Sequence, residues 1–322
     1  MRAVVLDGPG PPEVLVIRDL PIPTAAPGQV LVEVKAFGLN RSELHTRLGL
    51  GDGVTFPRVP GVEATGVVAE APGGEFETGQ QVVAMMGGMG RTFDGGYAQY
   101  TLVPASQVIS FTSDLPWATL GAIPEMLQTA NGVLTVGLDA QPGQTLLVRG
   151  GSSSVGMATT LLAKQRGLTV VATTRDPAKR DDMQRGGVDH VVIDDGDIAD
   201  RVRDVAPDGV DVALELVGTP TLPDTLASVG VHGVVCFAGM LSNEWVVPEF
   251  YPIGYLPNGV RLTAYAGDAS DLPAGLLQEF LDGIADGSVA APISNTYAFD
   301  DIVTAHTDME SNVATGKLVV LT

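Results

Sequence analysis

Along the first hundred residues, apolar and β-branched positions alternate with polar ones in short runs broken by Gly and Pro. The runs are AVVLDGPGPPEVLVI from Ala3, GQVLVEVKAFGLN from Gly28, VEATGVVAEA from Val62, GQQVVAMM from Gly79 and YAQYTLVP from Tyr97. A period of two over such lengths predicts strands buried on one face, and the Gly and Pro breaks predict tight turns, so this part reads as a compact all-β domain. From about Trp117 the rhythm changes. Thr145 to Arg149 reads as a buried strand, Val155 to Arg166 as helix, Thr169 to Thr173 as strand and Pro177 to Arg185 as helix, followed by strand-like HVVID, VDVALELVG and GVVCFAGM. This alternation predicts right-handed βαβ crossovers and a parallel sheet covered on both faces. Leu272 to Asp286 predicts a further helix, and the final β run, KLVVLT, has no place in the parallel sheet and is expected to pair back with the first domain. The domain reading is 1–117 with 272–322, discontinuous, and 118–271.

Composition narrows the partners. At 322 residues the chain is about twice a typical domain length. Its 38 acidic and 18 basic residues give a formal charge of −20, which repels nucleic acid and anionic lipid. One cysteine, Cys236, excludes an internal disulfide and a multi-cysteine zinc site. MRAVVLDGPG lacks the features of a signal peptide and no uncharged apolar run reaches ~18 residues, so the expectation is a cytoplasmic protein without a membrane span.

The stretch RGGSSSVG follows the first strand of the alternating region and opens a helix. Helix-initial N–H groups lack intrahelical acceptors and lie at the positive end of the helix dipole, which suits a phosphate. In the dinucleotide fingerprint G-x-G-x-x-G, the glycines serve the tight turn, the approach of the diphosphate and the packing of helix on strand. Gly151, Ser153 and Gly156 fall on those places, with Val155 inside the loop, and Ser152, Ser153 and Ser154 offer hydroxyl donors in place of the closest backbone approach. A Gly/Ser turn also caps helices that bind nothing. After the next strand comes TTRDPAK: Thr174, Arg175 and Lys179 stand where an NAD site carries a carboxylate for the ribose 2′-hydroxyl. Arg175 and Lys179 suit a 2′-phosphate instead, and Asp176 reads as a cap for the helix begun by Pro177, so NADPH is expected over NADH. The alternative is that both basic residues are ordinary solvated ones.

GLNRSEL, PGVEATGVV, GGYAQY, RGGSSSVG and GKLVVLT, in this order, resemble the medium-chain dehydrogenase/reductase superfamily, and in particular its zinc-free NADPH:quinone oxidoreductase branch. The resemblance spans nearly the whole chain and implies an α/β protein with an N-terminal GroES-like β domain and a Rossmann domain, a doubly wound parallel sheet. Zinc alcohol dehydrogenases of the superfamily carry a cysteine where this chain has Asn40 and a histidine where it has Val62, so catalytic zinc is not expected. Glu63 is then expected to pair with Arg41 or backbone N–H groups. The resemblance places Asn40 beside the nicotinamide, although a loop Asn can equally bond its own backbone. It also matches Thr129, Val217, Gly218, Ala238, Gly239 and Met240 to cofactor-contacting positions, with Asn312 and Lys317 near the returning C-terminus as further candidates.

The implied chemistry is hydride transfer from NADPH to a quinone or an α,β-unsaturated carbonyl, whose added charge delocalises onto an oxygen that a hydrogen bond stabilises. His45 is the side chain nearest Asn40 in sequence that titrates close to neutrality, and it is either a proton donor or a solvated loop residue. Tyrosines of some quinone reductases are replaced here by His45 and Gly51. MMGGMG from Met85 reads as a lid or a mere connection, FYPIGYLPNG from Phe250 as an edge of the substrate site or a subunit contact, Cys236 as packing, and DDGDIAD from Asp194 as a solvated turn. The alternatives are an enoyl-thioester reductase and an NADPH-binding protein with a structural or regulatory role. Family members are dimers or tetramers, and a homodimer or homotetramer is expected here.

Overall fold

The computed structural model describes residues 1–312 and 314–322. The alternating N-terminal runs form β1 (Arg2–Val5), β2 (Val16–Asp19), β3 (Gln29–Gly38), helix α1 (Arg41–Arg47), β4 (Glu63–Glu70), β5 (Gln81–Met85), β6 (Tyr100–Pro104) and β7 (Val108–Ser110). Helices α2 (Trp117–Leu120) and α3 (Pro124–Gly132) precede the alternating region. There β8 (Thr145–Arg149), α4 (Ser154–Gln165), β9 (Thr169–Thr174), α5 (Arg180–Arg185), β10 (His190–Ile193) and α6 (Ala199–Val205) are followed by β11 (Val210–Glu215), α7 (Leu222–Ala227), β12 (Val229–Phe237), α8 (Pro252–Tyr255) and β13 (Arg261–Ala264). The chain continues through α9 (Ala274–Asp286), β14 (Ile293–Ala298), α10 (Ile302–Glu310) and β15 (Lys317–Leu321).

These elements make two units, Met1–Gln128 with Gly267–Thr322, and Thr129–Ala266. The change of rhythm in the sequence predicts the first passage at 117/118. The units change at 128/129 because α2 packs on β3, β4 and β15, so the chain leaves the first unit only within α3.

The first unit is the GroES-like sheet domain, with strand order β14-β15-β3-β4-β5-β7 and β6 also paired to β3. The closing β run does return here: β15 lies antiparallel to β3, with Val319 opposite Gly38, and parallel to β14. Leu318, Val319 and Val320 are buried, and a run apolar on both faces needs such an interior strand position. Val4, Leu6, Val32, Phe37, Leu44, Tyr97 and Val320 share the core, in which Phe37 stacks on Tyr97.

The second unit is the Rossmann-like domain. Its sheet is parallel throughout, in the order β10-β9-β8-β11-β12-β13. Counted from β8 this is 3-2-1-4-5-6, the doubly wound order, with the direction of winding reversing between β8 and β11. Leu147, Val171, Val192, Ala213 and Val235 belong to the core of this unit. A doubly wound sheet opens a crevice at the carboxyl ends of the strands flanking the reversal, which is where β8 delivers RGGSSSVG. No helix of the described residues is long and apolar enough to cross a membrane.

Candidate functional site

The glycine-serine turn owes its shape to three glycines. Gly150, not Gly151, takes the left-handed conformation, with φ +87°, and so makes the sharp turn. A Cβ on Gly151 would lie 2.7 Å from Cβ of Ala172 on β9, and one on Gly156 would lie 2.7 Å from the Gly150 carbonyl oxygen. Gly151 therefore seats the turn against the sheet, and Gly156 closes α4 onto the turn. Ser153 corrects the expectation that its hydroxyl serves a phosphate: it is the N-cap of α4, accepting from Gly156 N at 3.1 Å and donating to the Gly150 carbonyl at 2.8 Å. Its one hydroxyl hydrogen is thus committed inside the turn. The half-buried Ser152 and Ser154 remain as side-chain donors, beside the N–H groups of Ser154 and Val155, which begin the helix and have no intrahelical acceptor.

Beneath the turn lies a polar hub that sequence reasoning missed. Arg149, the last residue of β8, is fully buried. Its guanidinium meets Asp194 through Nε at 3.0 Å and Nη2 at 2.9 Å, and Asp224 through Nη1 at 2.6 Å. It also donates to the carbonyls of Thr221 at 3.1 Å and Gly196 at 2.7 Å. Burial opposes the Asp194 carboxylate, but Arg149 outweighs it and holds that carboxyl below the usual range. Asp194 is thus no solvated turn residue, as DDGDIAD suggested. Thr173 completes the link: its Oγ1 accepts from Gly150 N at 3.1 Å and donates to Asp194 Oδ2 at 3.3 Å. The readable signal was a charged residue ending an otherwise apolar strand, as in TLLVR, and likewise in VALE on β11. There the buried Glu215 accepts from Val217 N at 2.6 Å, Gly218 N at 3.0 Å and Thr225 Oγ1 at 2.5 Å.

The structure brings the other cofactor candidates of this unit to the same carboxyl edge of the sheet. Thr174 ends β9, where its Oγ1 accepts from Asp176 N at 3.2 Å. Asp176 caps the following turn by accepting from Ala178 N at 2.9 Å, and exposed Arg175 and half-buried Lys179 lie beside it. Val217 and Gly218 follow β11, and Ala238, Gly239 and Met240 follow β12. The N–H groups of Ala238 and Gly239 bond the Glu215 carbonyl at 3.0 and 3.2 Å. Thr129 is buried within α3, where the second unit begins.

Asn40 belongs to the first unit, as N-cap of α1. Glu43 three residues on accepts from Asn40 N at 2.8 Å and from Val62 N at 2.7 Å, clamping the start of α1 to the approach to β4. Burial, reinforced by Glu63, pushes the Glu43 carboxyl up to about 7. The Asn40 amide is held at both ends: Nδ2 donates to Glu63 Oε1 at 2.9 Å, and Oδ1 accepts from Lys317 Nζ at 2.5 Å. Lys317 also reaches Glu63 at 2.7 Å and Glu125 at 3.2 Å, and the Lys317 and Glu63 side chains have 0% exposure. Burial opposes the ammonium, but Glu63 and Glu125 outweigh it and raise its pKa above the ordinary lysine value. Glu63 therefore pairs with Lys317 and, through Oε2, with the N–H of Glu125 at 2.9 Å, whereas Arg41 bonds Asn312. A Cβ on Gly38 would lie 2.2 Å from Lys317 Cε and 2.5 Å from Glu63 Oε1, which accounts for the glycine of GLN.

Lys317 was a candidate for the cofactor, but its ammonium is committed to this internal cluster. Asn312 is exposed and left-handed at φ 60°, with Nδ2 donating to the Glu310 carbonyl at 3.2 Å. His45 is buried on α1, not on a solvated loop. Met85 and Met89 are buried, so MMGGMG is a packed turn rather than a lid. Burial pushes the Cys236 thiol up to about 11, consistent with packing, while Phe250, Tyr251 and Ile253 are exposed. Among the described residues, no group of three or more His, Cys, Asp or Glu side chains is placed to hold a metal ion.

Two family models match the chain: alcohol dehydrogenase GroES-like domain over residues 26–113, and zinc-binding dehydrogenase over residues 186–320. The chain is 28% identical to a quinone oxidoreductase of Rattus norvegicus over 329 residues, covering 100% of this chain and 98% of the relative. It is 26% identical to a 2-haloacrylate reductase of Burkholderia sp over 340 residues, covering 100% and 99%. A mycobacterial protein solved in complex with NADPH matches with a TM-score of 0.87 and 26% identity, over 100% of both chains.

Proposed function

The chain belongs to the medium-chain dehydrogenase/reductase superfamily, on its quinone oxidoreductase branch, and we propose that it is a zinc-independent oxidoreductase that transfers hydride from NADPH to a quinone or an α,β-unsaturated carbonyl. The observation that carries the reading is the position of RGGSSSVG: a glycine-shaped turn at the reversal of a doubly wound sheet, with Arg175 and Lys179 after the neighbouring strand.

When bound, the cofactor supplies the hydride. The chain supplies the hold. The N–H groups of Ser154 and Val155, with the Ser152 and Ser154 hydroxyls, suit a diphosphate at the positive end of α4. Arg175 and Lys179 suit a 2′-phosphate, and the carboxylate of Asp176 is already drawn to the Ala178 N–H. The Asn40 amide is the donor to the oxygen that gains charge as hydride arrives. The donor set supports zinc independence: Asn40 offers an amide, Val62 no donor atom on its side chain, and the Lys317 ammonium beside Glu63 already brings the positive charge that a cation would have to displace. The reading includes a cytoplasmic homodimer or homotetramer.

Purified protein is mixed with NADPH or NADH and a panel of quinones, enals, 2-haloacrylate and enoyl-thioesters, and nicotinamide absorbance is followed. Oxidation of NADPH by quinones or enals, faster than of NADH, is expected, together with less than one zinc per chain by metal analysis. Turnover confined to thioesters would move the substrate to that class. Tight NADPH binding without turnover would favour a non-enzymatic role.

A further inference from the structure

We infer that Lys317 is a positioning residue: it fixes which end of the Asn40 amide is held as donor, so that the chemistry assigned to Asn40 depends on a lysine committed to the interior of its own unit. This rests on the reading of Asn40 given above.

The two ends of an asparagine amide are nearly the same size, and neutral surroundings leave either orientation open. Around Asn40 the surroundings are not neutral. Lys317 only donates and the Glu63 carboxylate only accepts. Turning the amide round would set its NH2 against the ammonium and its oxygen against the carboxylate, replacing bonds of 2.5 and 2.9 Å with two repulsive contacts. The Nδ2 group has two hydrogens. One goes to Glu63, and the other bonds the Gly38 carbonyl at 3.5 Å, the outer limit of a hydrogen bond, a weak bond that a ligand oxygen can displace. Accepting from an ammonium also draws electron density toward Oδ1 and makes that N–H a stronger donor.

Lys317 is itself held. Its three hydrogens match Asn40 Oδ1, Glu63 Oε1 and Glu125 Oε2 at 2.5, 2.7 and 3.2 Å. The frame extends from Glu63 to the N–H of Glu125 on α3, and the nearby Glu43 fixes the backbone N–H of Asn40 itself. The missing Cβ of Gly38 leaves room for the lysine chain.

The test is a double-mutant cycle of Lys317→Met and Asn40→Ala, with thermal melts to verify folding and NADPH dissociation constants measured alongside kcat. Lys317→Met is expected to lower kcat at least about tenfold with Asn40 present and less than about twofold in the Asn40→Ala background, and itself to change NADPH affinity less than about twofold in either background. Independently of turnover, the 15N side-chain amide resonance of Asn40, assigned by its loss in Asn40→Asp, is expected to move in Lys317→Met. If the single variant does not fold, Lys317→Met/Glu63→Gln removes both buried charges together and is expected to move the same resonance and lower kcat alike. Equal losses of kcat in both backgrounds, or an unmoved resonance in a folded variant, would overturn the inference. Absence of turnover in the unmodified protein would instead defeat the reading of the function, while the resonance still decides whether Lys317 positions Asn40.

Discussion

Arg149 and Asp194 meet through two parallel hydrogen bonds, Nε to Oδ2 at 3.0 Å and Nη2 to Oδ1 at 2.9 Å, directly beneath the glycine-serine turn. Lysine keeps the charge but cannot reproduce the fork. Arg149→Lys is therefore expected to cost about 3 kcal/mol, because breaking a buried pair leaves Asp194 and Asp224 incompletely matched. It should also weaken NADPH binding, since Thr173 links Asp194 to the N–H of Gly150. Denaturant titration and cofactor fluorescence measure the two effects, and unchanged stability would show that the hub does not brace the turn.

Ser153 and Ser154 separate capping from ligand contact. Ser153→Ala is expected to lower stability by about 1 kcal/mol, as loss of an N-cap does, with NADPH affinity changed less than about twofold. Ser154→Ala should do the reverse, sparing the melting temperature and weakening NADPH. The two melting curves and two dissociation constants check this, and a large affinity loss in Ser153→Ala alone would return its hydroxyl to the phosphate.

Arg175 is the candidate reader of the 2′-phosphate. Arg175→Ala is expected to weaken NADPH by about 1.5–3 kcal/mol, the usual contribution of a hydrogen bond to a charged group, and to leave NADH nearly unchanged. Equal effects on both cofactors would remove Arg175 from that role.

Two buried groups give the stability opposite pH slopes. Burial, with Arg47 adding to it, lowers His306 from 6.5 to about 3, so the folded chain binds fewer protons there than the unfolded one, and stability is lost as pH falls through this window. Glu43 is raised from 4.5 to about 7, so its contribution is present at low pH and lost as pH rises toward 7. From 4.5 to 6.5 the two offset each other; below 4.5 only His306 of this pair still titrates, with a limiting slope of about 1.4 kcal/mol per pH unit, and lowered carboxyls such as Asp194 add to the loss at lower pH. His306→Gln, which keeps a partner for the Tyr97 hydroxyl 3.1 Å away, is expected to reduce the acid sensitivity of the protein in urea melts at pH 4 and 7. An identical loss on acidification in both proteins would assign it to other groups.

Much of the fold follows from the sequence because its causes are local. Alternation at period two marks β3 and β4, the strand-helix rhythm marks the parallel sheet, and Asp176 before Pro177 marks its own cap. Each depends on sterics and hydrogen bonds between chain neighbours. The closing run KLVVLT goes to the first sheet by elimination, because the strand-helix alternation of the second leaves it no place.

What the sequence alone left undecided is which polar groups meet. Gly150 rather than Gly151 turns the chain, and Ser153 bonds inward, because β9 and α4 close on the turn from both sides. Arg149 reaches Asp194, just after β10, and Asp224, on α7, only once segments 45 and 75 residues away in the chain fold against the end of β8. Asn40 and Lys317 are 277 positions apart, and their meeting is set by sheet register: with Val319 opposite Gly38, the antiparallel ladder brings Lys317 level with Asn40. A shift of one residue would turn the lysine to the other face of the strand. Periodicity and composition predict that a strand forms and which face it buries, whereas register is a property of two strands packed together, and here it decides the surroundings of Asn40.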